Sequence, residues 1–318
     1  MKKTVILNSA KFNYDGKLDF SELQKITEVT KYDSSNGDEI LERSENMDII
    51  VTKELAVPSD LIRKFTGSVK LICEAGTGYN NVDINAARER GITVCNVPGY
   101  SSESVAQLAI SFILNLSSSI PQQQIMIKQD RLDNFTKYLQ LPHHEVQGKI
   151  LGVIGAGSIG KQVIRVAVAL GMKVLVYDLN PGPWGDGSIK SASIDDVLMQ
   201  SDFITLHCPL TGKTKYLFDG EKFKLMKPSA YIINTSRGAL IKESDLIEAL
   251  KSNHIAGAAL DVLDPEPPSA DNPLFGMDNV IVTPHIGWQT LESRQRLMEM
   301  LTANIRAFLN GNPINVVN

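Results

Sequence analysis

The sequence predicts an α/β protein that carries two doubly wound parallel sheets. Three observations predict it. Short apolar runs alternate with stretches of helical spacing from residue 1 to about 100, the pattern of a parallel sheet covered by helices. A second alternation starts at Ile150, after the first is complete, with an apolar strand, a glycine-rich turn and a helix in immediate succession. The 318 residues leave room for about two domains, each able to bury its own core.

In the first layer the strand candidates are Val5–Leu7, Ile49–Val51, Leu71–Cys73 and Thr93–Cys95. Between them, Leu61-Ile62-x-x-Phe65 and Ile84-x-x-Ala87 have helical spacing, and each run ends near a glycine, Gly67 or Gly91. Pro98-Gly99 breaks the pattern. A long helix is expected over Ser101–Leu116, with Val105, Leu108, Ala109, Phe112, Ile113 and Leu116 largely along one side, and it reads as the connection between the domains. In Ser117–Gly148, the residues Ile125, Ile127, Leu132 and Phe135 suggest a helix and a loop.

The second layer opens on the most informative stretch. Ile150–Ile154 reads as a buried strand, Gly155-Ala156-Gly157-Ser158-Ile159-Gly160 as a turn, Ser158–Leu170 as a helix stopped by Gly171, and Val174–Tyr177 as a second strand ending at Asp178. GxGxxG alone is a weak signal, but between strand and helix each glycine has work to do. Gly155 makes the tight turn, Gly157 lets backbone N–H groups approach a pyrophosphate, and Gly160 lets helix pack on strand. Free N–H groups and the dipole of the helix, at Ser158 and Ile159, favour an anion there. Asp178 stands where a carboxylate would accept from ribose hydroxyls and repel a 2′-phosphate, so NAD is expected over NADP. This is a dinucleotide site of Rossmann type.

A Pro/Gly-rich turn follows over residues 180–187. Strands are then expected at Phe203–Leu206, Tyr231–Ile233, Gly257–Leu260 and Val280–Val282, with helices at Ile194–Met199, Gly220–Met226 and Glu243–Leu250, and a last amphipathic helix over Leu291–Leu309. With 43% apolar and 21% charged residues the composition is that of a soluble globular protein. A net charge of −4 without a basic block argues against nucleic-acid and membrane partners. Val5-Ile6-Leu7 meets polar residues too soon to be a signal sequence, and no run approaches a membrane span. Cys73, Cys95 and Cys208 are odd in number, far apart and without ligand spacing; they read as buried thiols in a reducing compartment. His143-His144 has no third ligand nearby, so no metal is expected, and the protein is expected to be cytoplasmic.

In an open parallel sheet, ligands gather beyond the carboxyl ends of the strands. Four polar residues lie just past strands of the second layer: Arg237, Asp261, Glu266 in Asp264-Pro265-Glu266-Pro267-Pro268, and His285 after Val282-Thr283-Pro284. Imidazole is the side chain suited to deliver or take a proton near neutral pH. A neighbouring carboxylate stabilises the imidazolium and holds one tautomer, so Glu266 is expected to keep His285 charged to higher pH. Arg237 offers a planar fork for a carboxylate and a carbonyl. Other readings exist: Asp261 as a turn cap, Gly76–Gly78 as an ordinary turn, Trp288 directed into a cleft or across a dimer.

Over nearly its whole length the chain resembles the D-isomer-specific 2-hydroxyacid dehydrogenases. The matching segments are Gly76-Thr77-Gly78-Tyr79-Asn80-Asn81-Val82-Asp83, Asn96-Val97-Pro98 with Ser104-Val105-Ala106, the GxGxxG, His207-Cys208-Pro209-Leu210-Thr211 with Thr214, Asn234-Thr235-Ser236-Arg237-Gly238, Asp261 to Pro267, and Pro284-His285-Ile286-Gly287. The resemblance implies two Rossmann-like domains, the second inserted into the first. Residues 1–100 and 288–318 would form a split substrate-binding domain and residues 101–287 the NAD-binding domain, with the active site in the cleft between them, in a homodimer. It implies His285 as acid/base with Glu266 as partner, Arg237 as substrate binder, and Gly76 with the N–H groups of Thr77 and Gly78 as receivers of the substrate carboxylate. It assigns Gly155, Gly157, Ser158, Ile159, Gly160, Asp178, His207, Pro209, Thr214, Thr235, Ser236, Asp261 and Gly287 to the cofactor, with Pro209 and Thr214 flanking the adenine.

His285-Ile286-Gly287-Trp288, Ala75–Asn80 and Asn96-Val97-Pro98-Gly99-Tyr100 are similar to the glycerate dehydrogenase, or hydroxypyruvate reductase, branch. The expectation is NADH-dependent reduction of hydroxypyruvate to D-glycerate, with glyoxylate a weaker substrate. The alternatives are a D-3-phosphoglycerate or D-lactate dehydrogenase, or a corepressor-like NADH-binding module without turnover. With Asn318 following the last helix closely, the extended tail of those corepressors is not expected.

Overall fold

The computed structural model describes residues 1–180, 182–185 and 187–318. Pro181 and Asp186, both in the predicted Pro/Gly-rich turn, lie outside the described residues. The chain divides into two compact units, Met1–Ser101 with Trp288–Asn318, and Ser102–Gly287.

The first unit is built on β1 (Lys3–Ile6), β2 (Glu28–Lys31), β3 (Ile49–Thr52), β4 (Leu71–Glu74) and β5 (Thr93–Cys95). They run in the order β2-β1-β3-β4-β5, every pair parallel. β3 and β4 are buried along their whole length, which is why they read as unbroken apolar runs. Successive side chains go to opposite faces and feed two cores. Ile6, Val51, Cys73 and Cys95 join Trp288, Leu297, Leu301 and Ile305, whereas Val5, Leu7, Ile50, Ile72 and Val94 join Leu61, Ile62, Ala86 and Ala87. The helix Leu291–Leu309 is thus a member of this unit. Its buried Arg294 donates to Phe12 O (3.0 Å) and to both carboxylate oxygens of Asp15 (2.8 and 2.7 Å), and that guanidinium holds the Asp15 carboxyl well below the usual carboxylate range. Trp288 is directed into this core. Cys73 and Cys95, distant in sequence, are register partners on neighbouring strands; both are buried free thiols.

The second unit contains β6 (Ile150–Ile154), β7 (Lys173–Tyr177), β8 (Ile189–Ser191), β9 (Phe203–Leu206), β10 (Tyr231–Asn234), β11 (Gly257–Leu260) and β12 (Val280–Val282). Their order is β12-β11-β10-β9-β6-β7-β8, again all parallel. The chain leaves β6 in one direction through β7 and β8, then returns to β9 on its other side. The crevice at that reversal, past the carboxyl ends of β6 and β9, is where an open α/β sheet takes its ligand. The helix Ser102–Ser118 is more than a connection. Its Ala106, Ala109 and Ile113 share a core with Val163, Ile164 and Ala167 of the helix Ser158–Ala169. Residues 117–148 contain two short helices, Ile120–Lys128 and Asp133–Thr136, the first set off by Ser119 in the left-handed region at φ +49°. Among the described residues no single helix is long and apolar enough to cross a membrane.

Candidate functional site

The second unit gathers most of the chemistry at the carboxyl ends of its strands. After β6 the chain turns at Gly155, φ +96°, where a Cβ would lie 2.7 Å from Cys208 N and 2.8 Å from His207 C; only glycine fits against that backbone. A Cβ on Gly160 would sit 2.2 Å from Gly155 O, so this glycine lets the helix approach the turn. A Cβ on Gly157 would meet nothing within 4 Å: this glycine faces open space. It is the N-cap of the helix Ser158–Ala169, with no side-chain cap and no acidic residue in the first turn. The helix therefore presents N–H groups and a partial positive charge to whatever fills that space. Asp178 follows β7, and its carboxylate accepts from Ala156 N (2.6 Å) and Asn180 N (2.8 Å), which fixes it beside the glycine turn.

Beyond β9, His207 Nε2 lies 2.9 Å from Thr205 Oγ1, while Nδ1 is buried without a partner. Burial pushes the ring's pKa down to about 3, so it is neutral. Thr235, just past β10, also has a buried hydroxyl with no partner. Two orphaned polar atoms beside a glycine cradle with open space above it suit a dinucleotide, which would supply acceptors and donors to both. The hydroxyl of Thr214 donates to Pro209 O (2.7 Å) and accepts from Thr211 N (2.7 Å), so this side chain holds the Pro209–Thr214 turn together. Burial pushes the Cys208 thiol up to about 11, which leaves it a packing group.

His207 gives a pH dependence with a fixed sign. The native state keeps the ring neutral, whereas the unfolded chain protonates it below its ordinary value of 6.5. The unfolded state then binds more protons, so stability falls as pH falls from about 6.5 toward 3, softened by solvent reaching part of the ring. His207→Asn should flatten the dependence of Tm on pH in that window, as read by thermal melts across it. An equally steep slope in the variant would assign the acid sensitivity elsewhere.

Past β10, β11 and β12 the remaining side chains interlock. Asn234, buried at the end of β10, accepts from Ser236 N (3.0 Å) and donates to Arg237 O (2.9 Å), clamping the backbone on both sides of Arg237. Ser236 Oγ donates to Leu206 O (2.8 Å), and Arg237 Nη1 donates to Ser236 O (2.7 Å). A Cβ on Gly238 would lie 2.0 Å from Leu263 O, so this glycine lets the Leu263–Pro268 loop lie against the Arg237 segment. On that loop, Glu266 Oε1 accepts from Leu263 N (3.0 Å) and Oε2 lies 2.9 Å from His285 Nδ1. The His285 side chain is 24% exposed and that of Glu266 38%. His285 has φ +52°, an uncommon state for a residue with a side chain.

Asp261 explains how that backbone is held. It is 2% exposed. Its Oδ1 accepts from Thr283 Oγ1 (2.6 Å) and Ile286 N (2.8 Å), and Oδ2 accepts from Gly287 N (2.8 Å). Burial pushes the carboxyl's pKa up against the pull of these donors. A Cβ on Gly287 would lie 2.9 Å from Oδ2, so the glycine is required for the approach. Asn234 and Thr283 are thus structural members of the site that sequence reasoning did not single out. An Asn or Thr at a strand end is too common a signal without the fold.

In the first unit, the turn after β4 has its carbonyls tied back: Val97 N donates to Gly76 O (2.8 Å) and Asn96 Nδ2 to Thr77 O (2.7 Å). The N–H groups of Gly76, Thr77 and Gly78 donate to no acceptor among the described residues. Three such donors in succession can receive an anion.

Residues 110–287 match the family model described as D-isomer specific 2-hydroxyacid dehydrogenase, NAD binding domain. The chain is 38% identical over 322 aligned positions to a hydroxypyruvate reductase of Blautia hydrogenotrophica, covering 99% of each protein. It is 40% identical over 301 positions to a D-3-phosphoglycerate dehydrogenase of Methanocaldococcus jannaschii, covering 93% of this chain and 56% of that one. Among solved structures, a D-lactate dehydrogenase from Aquifex aeolicus complexed with NAD and lactic acid superposes with a TM-score of 0.84 at 26% identity, over 99% of this chain and 100% of the other.

Proposed function

The chain belongs to the D-isomer specific 2-hydroxyacid dehydrogenases, NAD-dependent oxidoreductases acting on CH–OH donors, and on that premise we propose that it reduces a small 2-oxo acid, hydroxypyruvate foremost, to the D-2-hydroxy acid. The observation that carries the reading is the His285–Glu266 pair at 2.9 Å, set past the strand ends of the unit that holds the glycine cradle. Bound nicotinamide supplies the hydride. Nδ1 faces Glu266, which fixes the tautomer, so His285 delivers the proton through Nε2 to the carbonyl oxygen. Glu266 keeps the ring oriented through Nδ1, and Arg237 grips carboxylate and carbonyl with its fork. The N–H groups of the Gly76–Gly78 turn receive the carboxylate. Asp178, anchored beside the glycine turn, is read as the ribose ligand that favours NADH.

Hydroxypyruvate is preferred as substrate because the chain matches a hydroxypyruvate reductase over almost its entire length. The test is a panel of hydroxypyruvate, glyoxylate, pyruvate and phosphohydroxypyruvate, each with NADH and with NADPH. The expected result is the highest kcat/KM for hydroxypyruvate with NADH, and glyoxylate below it. A maximum for phosphohydroxypyruvate would make the chain a phosphoglycerate dehydrogenase. NADH binding without turnover of any of the four would leave a binding module.

A homodimer is part of this proposal. Residues 120–139 of the second unit expose Ile120, Ile125, Leu132, Phe135, Tyr138 and Leu139, with Phe135 and Tyr138 each 75% exposed. So much apolar surface on one short segment supports this reading, in which a second copy covers it with a matching patch by two-fold symmetry. Phe135→Asp should shift the sedimentation equilibrium of the protein from dimer toward monomer. A wild-type protein that is monomeric at micromolar concentration would remove the dimer.

A further inference from the structure

We infer that Lys53 is the cationic half of a carboxylate subsite whose other half is the Gly76–Gly78 turn, making it a specificity-determining residue; that the anion is a substrate carboxylate rests on the proposed reduction of 2-oxo acids. Lys53 directly follows β3 and is 2% exposed. Its Nζ lies 3.0 Å from Glu54 Oε1, 3.4 Å from Tyr100 Oη and 3.9 Å from the centre of the Trp288 ring. A Cβ on Gly76 would stand 3.1 Å from Glu74 Oε1 and 3.3 Å from that Nζ, so the missing side chain leaves the turn against the Lys53–Glu74 pair.

Burying an ammonium costs far more than burying a methyl, and the Trp288 core around it would accept an apolar side chain of the same length. Burial works against the charge, but Tyr100, Glu54 and Glu74 outweigh it and hold the Lys53 pKa above the ordinary lysine value, so the ammonium is charged and able to meet an anion. Glu74 is completely buried, but its carboxylate already accepts from Thr52 Oγ1 (2.7 Å), Asn81 Nδ2 (2.8 Å) and Glu54 N (2.9 Å). The Glu54 side chain is 36% exposed, so water screens its pull. Two further observations point to an acceptor that the protein itself does not provide. The N–H groups of Gly76, Thr77 and Gly78 have no acceptor among the described residues. The indole N–H of Trp288, at 6% exposure, has none either.

A carboxylate fits this set: its two oxygens take backbone N–H groups, and the adjacent ammonium supplies the countercharge. With Glu54 and Glu74 sharing one lysine, the subsite suits a singly charged carboxylate and opposes a phosphate dianion. Lys53 would thereby raise affinity for the acid without touching the reacting carbonyl.

The test uses Lys53→Met, which keeps the stem and removes the charge. KM for hydroxypyruvate should rise roughly 10- to 100-fold, the worth of a charged hydrogen bond, while kcat changes less than about threefold. The neutral methyl ester of hydroxypyruvate should be reduced equally well by both proteins. Oxamate, a monoanion that cannot be reduced, should change Trp288 emission in a Trp184→Phe background with NADH present, and Lys53→Met should abolish that change. If Lys53→Met does not fold, Gly76→Ala places a methyl 3.1 Å from Glu74 Oε1 and 3.3 Å from Nζ, which crowds the turn on the lysine side and should also raise KM. A folded variant with wild-type KM and wild-type oxamate affinity overturns the subsite while leaving the proposed reaction standing. Lysine-dependent oxamate binding in a protein that reduces no 2-oxo acid keeps the subsite and overturns the reaction.

Discussion

His285→Ala should lower kcat for 2-oxo acid reduction by roughly 10²–10⁴-fold, the usual worth of a positioned general acid, while NADH affinity stays at the wild-type value. The separation follows from where the ring sits. His285 lies past β12 and is paired with Glu266 at 2.9 Å, whereas the glycine cradle and Asp178 lie past β6 and β7. Deleting the imidazole takes nothing from the glycine turn. It leaves the Glu266 carboxylate, still held by Leu263 N at 3.0 Å, without the ring it orients. Stopped-flow reduction separates chemistry from binding, and NADH fluorescence titration reads the affinity. Retained turnover would remove His285 from the reaction, and a parallel loss of NADH affinity would make it a structural residue.

How much of this was legible in the sequence depends on where each signal lives. The strands buried on both faces, β3, β4, β6 and β9, announce themselves as apolar runs, and the GxGxxG turn is diagnostic because strand and helix flank it. The edge strands β2 and β8 were missed because they need little burial. Glu28 and Lys31 are exposed in one, and Lys190 and Ser191 in the other. The helix Gly37–Ser44 was also missed, although Asn36 and Glu39 form a reciprocal cap, a local pattern that could have located it. Cys73 and Cys95 became neighbours only through strand order, which pattern reading does not supply. His285, Glu266 and Arg237 were visible as polar residues past strand ends. Thr283 and Lys53 were not, since each meets partners far away in sequence, and Asn234 was not, because an Asn at a strand end is too common a signal even with its partners two and three residues on.

Asp261 is the case where the fold adds a role to the expected one, and its substitution should have the second largest effect. The resemblance assigns this carboxylate to the cofactor. Within the protein it is bonded to Thr283 Oγ1, Ile286 N and Gly287 N, on both sides of His285. Asp261→Asn keeps the shape and one acceptor oxygen, which can still serve Thr283 and Ile286. The amide nitrogen then meets Gly287 N–H, donor against donor, at a spacing of 2.8 Å. An unsatisfied buried donor costs about 1–3 kcal/mol, so Tm should fall. Losing the buried negative charge returns part of that desolvation penalty, but it cannot give Gly287 an acceptor. His285 N also donates to Thr283 O (3.0 Å) and Ser104 Oγ to Gly287 O (2.6 Å), but losing the Gly287 N acceptor loosens the φ +52° backbone of His285. Displacing a proton donor by about 1 Å costs on the order of 10²-fold in rate, so kcat should fall by about that factor with NADH affinity little changed. If NADH affinity instead falls with kcat while Tm holds, the carboxylate serves the cofactor and His285 is positioned by other groups.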